Sequence, residues 1–168
     1  MSEPGTPRLT LVLGVLTAVA LFLSLPGSLR EAFARGGVYV VSREFLEDLP
    51  KRLTGPGRFR FVLQPAFAIV LGVRAGRADA KSGGQDYLHA LWSGRGGRGN
   101  LIRQAWKGIA NLVLAGVLVD SVCQWLILGV SYPGAALLFG PVLIGAPYAA
   151  SRSLANRIVT GRAPNPDP

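Results

Sequence analysis

Asp120 is the residue of this sequence best placed to do chemistry. It is the one charged side chain in the apolar run Ile109–Gly129, IANLVLAGVLVDSVCQWLILG. A run of roughly 20 apolar residues is long enough to cross the hydrocarbon core of a bilayer as an α-helix. A carboxylate inside such a helix costs roughly 2.5–3.5 kcal/mol to insert, so it should face other helices and have a partner. The sequence therefore predicts a buried polar site around Asp120.

Three further polar residues are candidates for the same intramembrane cluster. Gln124 lies one helical turn beyond Asp120 and on the same face. If the neighbouring spans run antiparallel, Gln64 lies at a similar depth, and Arg60 is close enough in sequence to reach down to it. A cluster of this kind either fixes helix packing by hydrogen bonds or binds a proton or ion in a transporter. Both interpretations remain open, and packing is favoured.

Basic residues beside the apolar runs are candidate contacts for anionic lipid headgroups, which attract positive charge to the membrane surface. They are Arg74, Arg77, Lys107, Arg95 and Arg98. The stretch Gly94–Gly99 also matches the pattern G-x-G-x-x-G. A dinucleotide site would need a strand before it, and the acid at the expected distance is Asp120, so this interpretation is rejected. A basic loop that orients the protein is favoured over RNA binding.

Few residues in the sequence could support catalysis or hold a metal. His89 and Cys123 are the only histidine and cysteine, and they lie in different segments. Asp79 and Asp86 are too few for the metal site of a lipid-headgroup enzyme near Arg77. We therefore predict no catalytic residue, metal or cofactor, and we keep an enzyme that modifies lipid headgroups as the weakest alternative.

The composition identifies a membrane protein. Of the 168 residues, 49% are hydrophobic and 16% are charged, whereas soluble domains carry about 25% charged residues. The apolar residues form four blocks, near 9–25, 59–73, 109–129 and 134–150. The second block is short, and a re-entrant segment is the alternative to a full crossing. The first block could be a cleaved signal peptide, but the small-residue site Ala32–Ala34 lies far beyond it, so an uncleaved span is favoured.

The connection between the first two blocks contains a predicted amphipathic helix. Ser42 is its expected N-cap, and REFLEDLPKRL places Phe45 on the apolar side. Most charges, Arg52 among them, are assigned to the opposite side, and the helix is expected to lie flat at the membrane surface. Pro26 is expected to end the first span, and Pro50 to kink or shorten the surface helix.

The predicted fold is all-α: a polytopic bundle of about four membrane helices with one short amphipathic helix. Residues 1–8 form an N-terminal cytoplasmic tail, 9–150 the membrane domain and 151–168 a basic C-terminal tail. The net charge of +9 is attributed to topology, because basic residues gather in cytoplasmic loops. This distribution favours both termini in the cytoplasm.

The function predicted first is a non-enzymatic accessory or assembly component of a bacterial inner membrane. Its partners would be a bilayer with anionic headgroups and a homo-oligomer or larger membrane complex, with nucleic acid disfavoured. A small oligomeric transporter that uses Asp120 is the alternative.

Overall fold

The computed structural model describes residues 7–55, 57–94 and 97–161, and these residues are almost entirely helical. The elements are α1 Pro7–Arg35, a 3-10 turn Tyr39–Val41, α2 Arg43–Thr54, α3 Arg60–Lys81, α4 Tyr87–Ser93, α5 Arg98–Leu128 and α6 Pro133–Thr160. No strand occurs in these ranges, so the predicted all-α class is confirmed. Of the predicted tails, residues 1–6 and 162–168 lie outside these ranges, and residues 151–160 belong to α6.

Four of the helices, α1, α3, α5 and α6, are long and apolar enough to cross a membrane. The chain is therefore a membrane protein with four candidate spans. The shortest of them, α3, has 22 residues, which correspond to about 33 Å of helix. The helix extends beyond the predicted block 59–73 as far as Lys81. This makes α3 long enough for a full crossing.

Two prolines do not shorten their helices as predicted. The first span does not end at Pro26, because α1 continues through it to Arg35. Ending a helix within hydrocarbon would leave several backbone groups unpaired, which costs more than the one hydrogen bond that a proline removes. The surface helix is not cut at Pro50 either, since α2 continues to Thr54. The predicted cap of α2 is confirmed, because the Ser42 side chain accepts a hydrogen bond from the backbone N–H of Phe45 at 3.4 Å.

The chain forms two compact units, and α3, α5 and α6 each contribute to both. The first unit comprises Met1–Gln64 and Ala110–Leu143. Its core contains Tyr39, Tyr132 and Ala135, with Phe45 packed against them.

The second unit comprises Pro65–Ile109 and Ile144–Pro168. Within it, α3 lies directly against α6 through two glycines. A Cβ on Gly72 would lie 2.5 Å from the carbonyl oxygen of Tyr148, and one on Gly76 would overlap the carbonyl oxygen of Arg152. These two glycines therefore set how closely the helices of this unit approach.

Candidate functional site

Asp120 lies in the first unit at the centre of a buried ionic cluster and is only 2% exposed. The side-chain amide of Gln124 donates a hydrogen bond of 2.6 Å to Oδ2 of Asp120. Nη2 of Arg60 lies 2.9 Å from Oδ1, and Nη1 of Arg52 lies 3.8 Å from Oδ2. Both carboxylate oxygens therefore face fixed positive charge, as the expected pairing of a buried acid requires.

The cluster joins three helices and lies near the end of a span. Arg60 is the first residue of α3, Arg52 belongs to α2, and Asp120 is eight residues before the end of α5 at Leu128. Asp120 therefore lies toward the C-terminal end of α5, where Arg60 at the start of α3 and Arg52 of α2 both reach its carboxylate.

Aromatic rings surround the guanidinium group of Arg52. Its central carbon lies 5.2 Å from the ring centre of Phe139, 5.7 Å from that of Tyr39 and 5.9 Å from that of Phe45. The side chain of Arg52 is fully buried. Ring faces attract a cation and partly replace its lost hydration. The charge of Arg52 is therefore held by these rings and by Asp120.

Tyr39 extends the network toward α2. Its hydroxyl donates a hydrogen bond of 2.8 Å to Asp48 and accepts one of 3.4 Å from Arg52. Burial raises the pKa of Tyr39 to about 12, so the phenol is neutral at physiological pH. Burial also raises the pKa of Asp48, but hydrogen bonds from Lys51 and Tyr39 outweigh this effect and hold that pKa below its ordinary value.

Tyr132, which directly precedes α6, connects the start of α6 and the end of α1 to the cluster. Its backbone N–H donates to Oε1 of Gln124 at 2.9 Å, and its ring stacks on Tyr39 with centres 3.7 Å apart. Arg35, the last residue of α1, donates to the Tyr132 hydroxyl at 2.9 Å and pairs with Glu44 of α2 at 2.7 Å. All five helices that contribute to this unit are thus connected around Asp120.

The other predicted site residues are distributed as follows. Gln64 is buried in the same unit, but within the described part of the chain it makes no hydrogen bond to Asp120 or Gln124. Arg74, Arg77 and Lys107 are exposed, as lipid contacts would be. Arg98 instead donates to the carbonyl oxygens of Leu91 and Trp92, both at 3.1 Å, and so caps α4. Arg95 lies outside the described residues.

Arg52 is the cluster residue that sequence reasoning missed. The sequence assigned it to the charged side of the surface helix. However, Arg52 lies seven residues after Phe45, and seven residues complete almost two turns, so the two share a face. That spacing was the available signal. A basic residue on an apolar helix face usually indicates a buried partner.

The second unit holds its own ion pair. Nε and Nη2 of Arg152 contact the two carboxylate oxygens of Asp79 at 2.6 and 3.0 Å, and the guanidinium carbon lies 4.4 Å from the ring centre of Tyr87. The sequence assigned Arg152 to the basic C-terminal tail, 151–168. Because α6 continues to Thr160, Arg152 instead lies inside the unit. A polar cavity of about 400 Å³ adjoins this pair.

Asp86 anchors α4 to α6 in the same unit. It pairs with Arg157, and it also caps α4 by accepting from the N–H of Leu88 at 3.1 Å. Burial raises the pKa of Asp86, but hydrogen bonds with Ser153 and Arg157 outweigh it and lower the pKa. Both carboxylates of the α3–α4 region are thus occupied by arginines of α6.

Metal ligands do not converge in the described ranges, where no group of three His, Cys, Asp or Glu side chains could hold an ion. What the Asp120 cluster can do chemically is connect helices by fixed charge. Comparison of the chain with models of protein families, with curated proteins and with solved structures found no match.

Proposed function

We propose that this protein is a non-enzymatic accessory or assembly subunit of a bacterial inner membrane, and that the Asp120 cluster is its structural clamp. The observation that carries the proposal is that the carboxylate of Asp120 is buried and in contact with fixed partners. Its carboxylate is 2% exposed, and Arg60 and Gln124 contact it at 2.9 and 2.6 Å. A coupling group of a transporter must exchange its proton or ion with a pathway. A buried carboxylate that contacts Arg60 through Oδ1 and accepts a hydrogen bond from Gln124 through Oδ2 is suited to holding helices together.

Removal of the clamp charge tests this proposal. Asp120→Asn leaves two buried guanidinium groups without their carboxylate, and breaking a buried ion pair costs roughly 3–5 kcal/mol. We expect a large loss of thermal stability in mild detergent. The matched control is Glu47→Gln, the same change of acid to amide at an exposed position of α2. It should alter the free energy of unfolding by less than about 0.5 kcal/mol.

The transporter alternative predicts a different result for the same variant. Asp120→Asn would then fold as stably as the native chain and would lose a pH-dependent flux in reconstituted vesicles. Unchanged stability together with loss of flux would overturn the proposal that the Asp120 cluster is a structural clamp.

The assembly role is supported by the exposure of α1. In its most apolar 18-residue window, 6% of residues are buried, compared with 39% for α5. Gly14 and Ala18 lie one turn apart on this helix, and a Cβ added at Gly14 would meet no atom within 4 Å. Small residues four apart let a second membrane helix approach closely. We therefore assign the face containing Gly14 and Ala18 to a neighbouring subunit, either a second copy or another membrane protein.

The assembly surface is tested by Gly14→Leu, because the Cβ of the new side chain would lie in open space. The native chain, extracted with its surrounding lipid, should have the mass of a homo-oligomer or larger complex by native mass spectrometry. Gly14→Leu should yield the monomer. Val12→Leu enlarges an exposed side chain on another face of α1 and should leave the complex intact. A native chain that is monomeric in this preparation would contradict the proposal.

A further inference from the structure

A cleft between α1 and α5 in the first unit has no role in the clamp. Its volume is about 450 Å³, within the range of about 300–1,000 Å³ that small-molecule sites occupy. Its walls include Ala20, Leu23 and Ser24 of α1, Val122 and Trp125 of α5, and Ser131 after α5. Most of this lining is apolar. Both helices are candidate spans, so the surroundings of the cleft are hydrocarbon along part of its length.

Ser131 is the polar side chain of this cleft that lacks a partner. It is 7% exposed, and its Oγ makes no hydrogen bond to any residue the structure describes. By contrast, Ser24 and Ser121 donate to the carbonyl oxygens of Ala20 and Val117 in their own helices. A buried hydroxyl without a partner has lost the hydrogen bonds that water makes to it in the unfolded chain, and this loss destabilises the fold. Ser131 therefore indicates a ligand that brings an acceptor to this end of an apolar cleft.

Trp125 indicates the depth of that end. It lies three residues before the end of α5 and is largely exposed. Tryptophan is enriched where hydrocarbon meets the headgroup region, which is also where the ester carbonyls of phospholipids lie. One phospholipid molecule can thus supply both parts. Its ester carbonyl can accept a hydrogen bond from Ser131, and its acyl chain can contact the remaining apolar walls.

The size of the cleft favours an acyl chain over a helix of another protein as its occupant. One turn of a helix about 10 Å wide and 5.4 Å long occupies about 400 Å³. A partner helix could therefore insert little more than one turn, whereas a flexible chain can fill the cleft along its length. We propose that the cleft binds one acyl chain of a membrane phospholipid, with the Ser131 hydroxyl donating a hydrogen bond to the ester carbonyl.

Photo-cross-linking of the full-length protein in vesicles tests this proposal. The vesicles contain phosphatidylethanolamine and phosphatidylglycerol, and the phosphatidylglycerol carries a diazirine in one acyl chain. After irradiation, peptide mapping should find the label concentrated on residues 20–27 and 121–131. Label spread evenly over all apolar helix faces would show ordinary bilayer contact and overturn the proposal.

Two variants that fill the cleft make the test specific. Ala20→Phe and Val122→Phe should each reduce labelling of the cleft peptides by about tenfold, equivalent to about 1.4 kcal/mol of binding free energy. Val122 is 48% exposed, so its enlargement leaves the protein able to fold if the change at Ala20 does not. The matched control is Val19→Phe, because Val19 is 49% exposed on α1 and does not line the cleft.

The hydroxyl is tested separately. Ser131→Ala should reduce labelling by about fivefold, the value of a hydrogen bond of about 1 kcal/mol. Undiminished labelling in both cleft-filling variants, or an equal loss in Val19→Phe, would overturn the proposal. The same holds if the cleft peptides cross-link to a second copy of the chain and carry no lipid label. None of these outcomes depends on the clamp at Asp120.

Discussion

Two buried arginines share one buried carboxylate in the first unit. With all three groups ionised, Arg52, Arg60 and Asp120 carry one excess positive charge. A buried cation without compensation is costly, so the surrounding groups must supply the balance. The rings of Phe139, Tyr39 and Phe45 do so for Arg52. The aromatic residues are therefore part of the electrostatics of this site as well as of its packing.

Tyr39 makes this cluster sensitive to alkaline pH. Its pKa is raised from an ordinary value of 10 to about 12 by burial. The folded state thus holds the phenolic proton more tightly than the unfolded state does. The associated stability is complete below pH 10 and is lost as pH rises toward 12, by up to about 3 kcal/mol. Thermal melts in detergent between pH 8 and 12 should show this loss.

The control for the alkaline loss is Tyr39→Phe. This variant lacks the titrating phenol, so it should be less stable at pH 8 but should lose less stability between pH 10 and 12. Equal alkaline slopes in the native chain and the variant would contradict the assignment to Tyr39.

The candidate site was partly predictable from these residues. A lone acid in an apolar run must be buried and paired, and one-turn spacing placed Gln124 beside it. Arg60 could be predicted as a member of the cluster because it lies at the start of a predicted span. Arg52 was not predicted, because its charge placed it with the polar residues of the surface helix, although its spacing from Phe45 puts it on the apolar face. A charge pattern within a 12-residue helix does not reveal which charge finds a distant partner.

At the scale of elements, the contact of α3 with α6 depends on the spacing Gly72-x-x-x-Gly76. Without side chains at these positions, the two backbones come into direct contact at Tyr148 and Arg152. In lipid, where the hydrophobic effect between helices is weak, such close packing is a principal source of association. It also brings Arg152 within reach of Asp79, since Asp79 lies one turn beyond Gly76.

Gly76→Ala should therefore destabilise the second unit. The added Cβ would overlap the backbone of α6, so the helices must separate, and such overpacking costs roughly 1–3 kcal/mol. Thermal unfolding in mild detergent measures the loss. Gly145→Ala is the matched control, because a Cβ on that α6 glycine would meet no atom within 4 Å. It should be neutral or stabilising by up to about 1 kcal/mol. Equal effects of the two substitutions would contradict close packing at Gly76.

The four spans were predictable because hydrocarbon requires a continuous apolar run, and that requirement is visible in the sequence alone. Their ends were not. Both α1 and α6 continue well beyond their apolar blocks, to Arg35 and Thr160. Polar residues in these extensions find partners in other elements, as Arg35 does with Glu44. The stopping point of each helix therefore depends on tertiary contacts that no local pattern contains.

At the scale of the whole molecule, the distribution of basic residues predicts which side of the membrane each connection occupies. Between and beyond the predicted apolar blocks, residues 1–8, 74–108 and 151–168 together carry 11 Lys and Arg, whereas residues 26–58 carry six. Several basic residues of that segment are paired with acids, among them Arg35 with Glu44 and Lys51 with Asp48. Such pairing occurs on both sides, as Arg152 with Asp79 shows, so the excess of basic residues is the observation that favours the cytoplasm for the tails and residues 74–108.

This topology predicts opposite labelling of two cysteine variants. Gly37→Cys places a thiol between α1 and α2, where a Cβ meets no atom within 4 Å, and Lys81→Cys places one at the exposed end of α3. A maleimide that cannot cross membranes should label the Gly37→Cys variant on intact spheroplasts and the Lys81→Cys variant only after lysis. The native chain is the control, because its single cysteine, Cys123, is buried and should not react. Labelling of Lys81→Cys before lysis would show that basic loops do not face the cytoplasm, because four crossings place the connections after α1 and α3 on opposite sides.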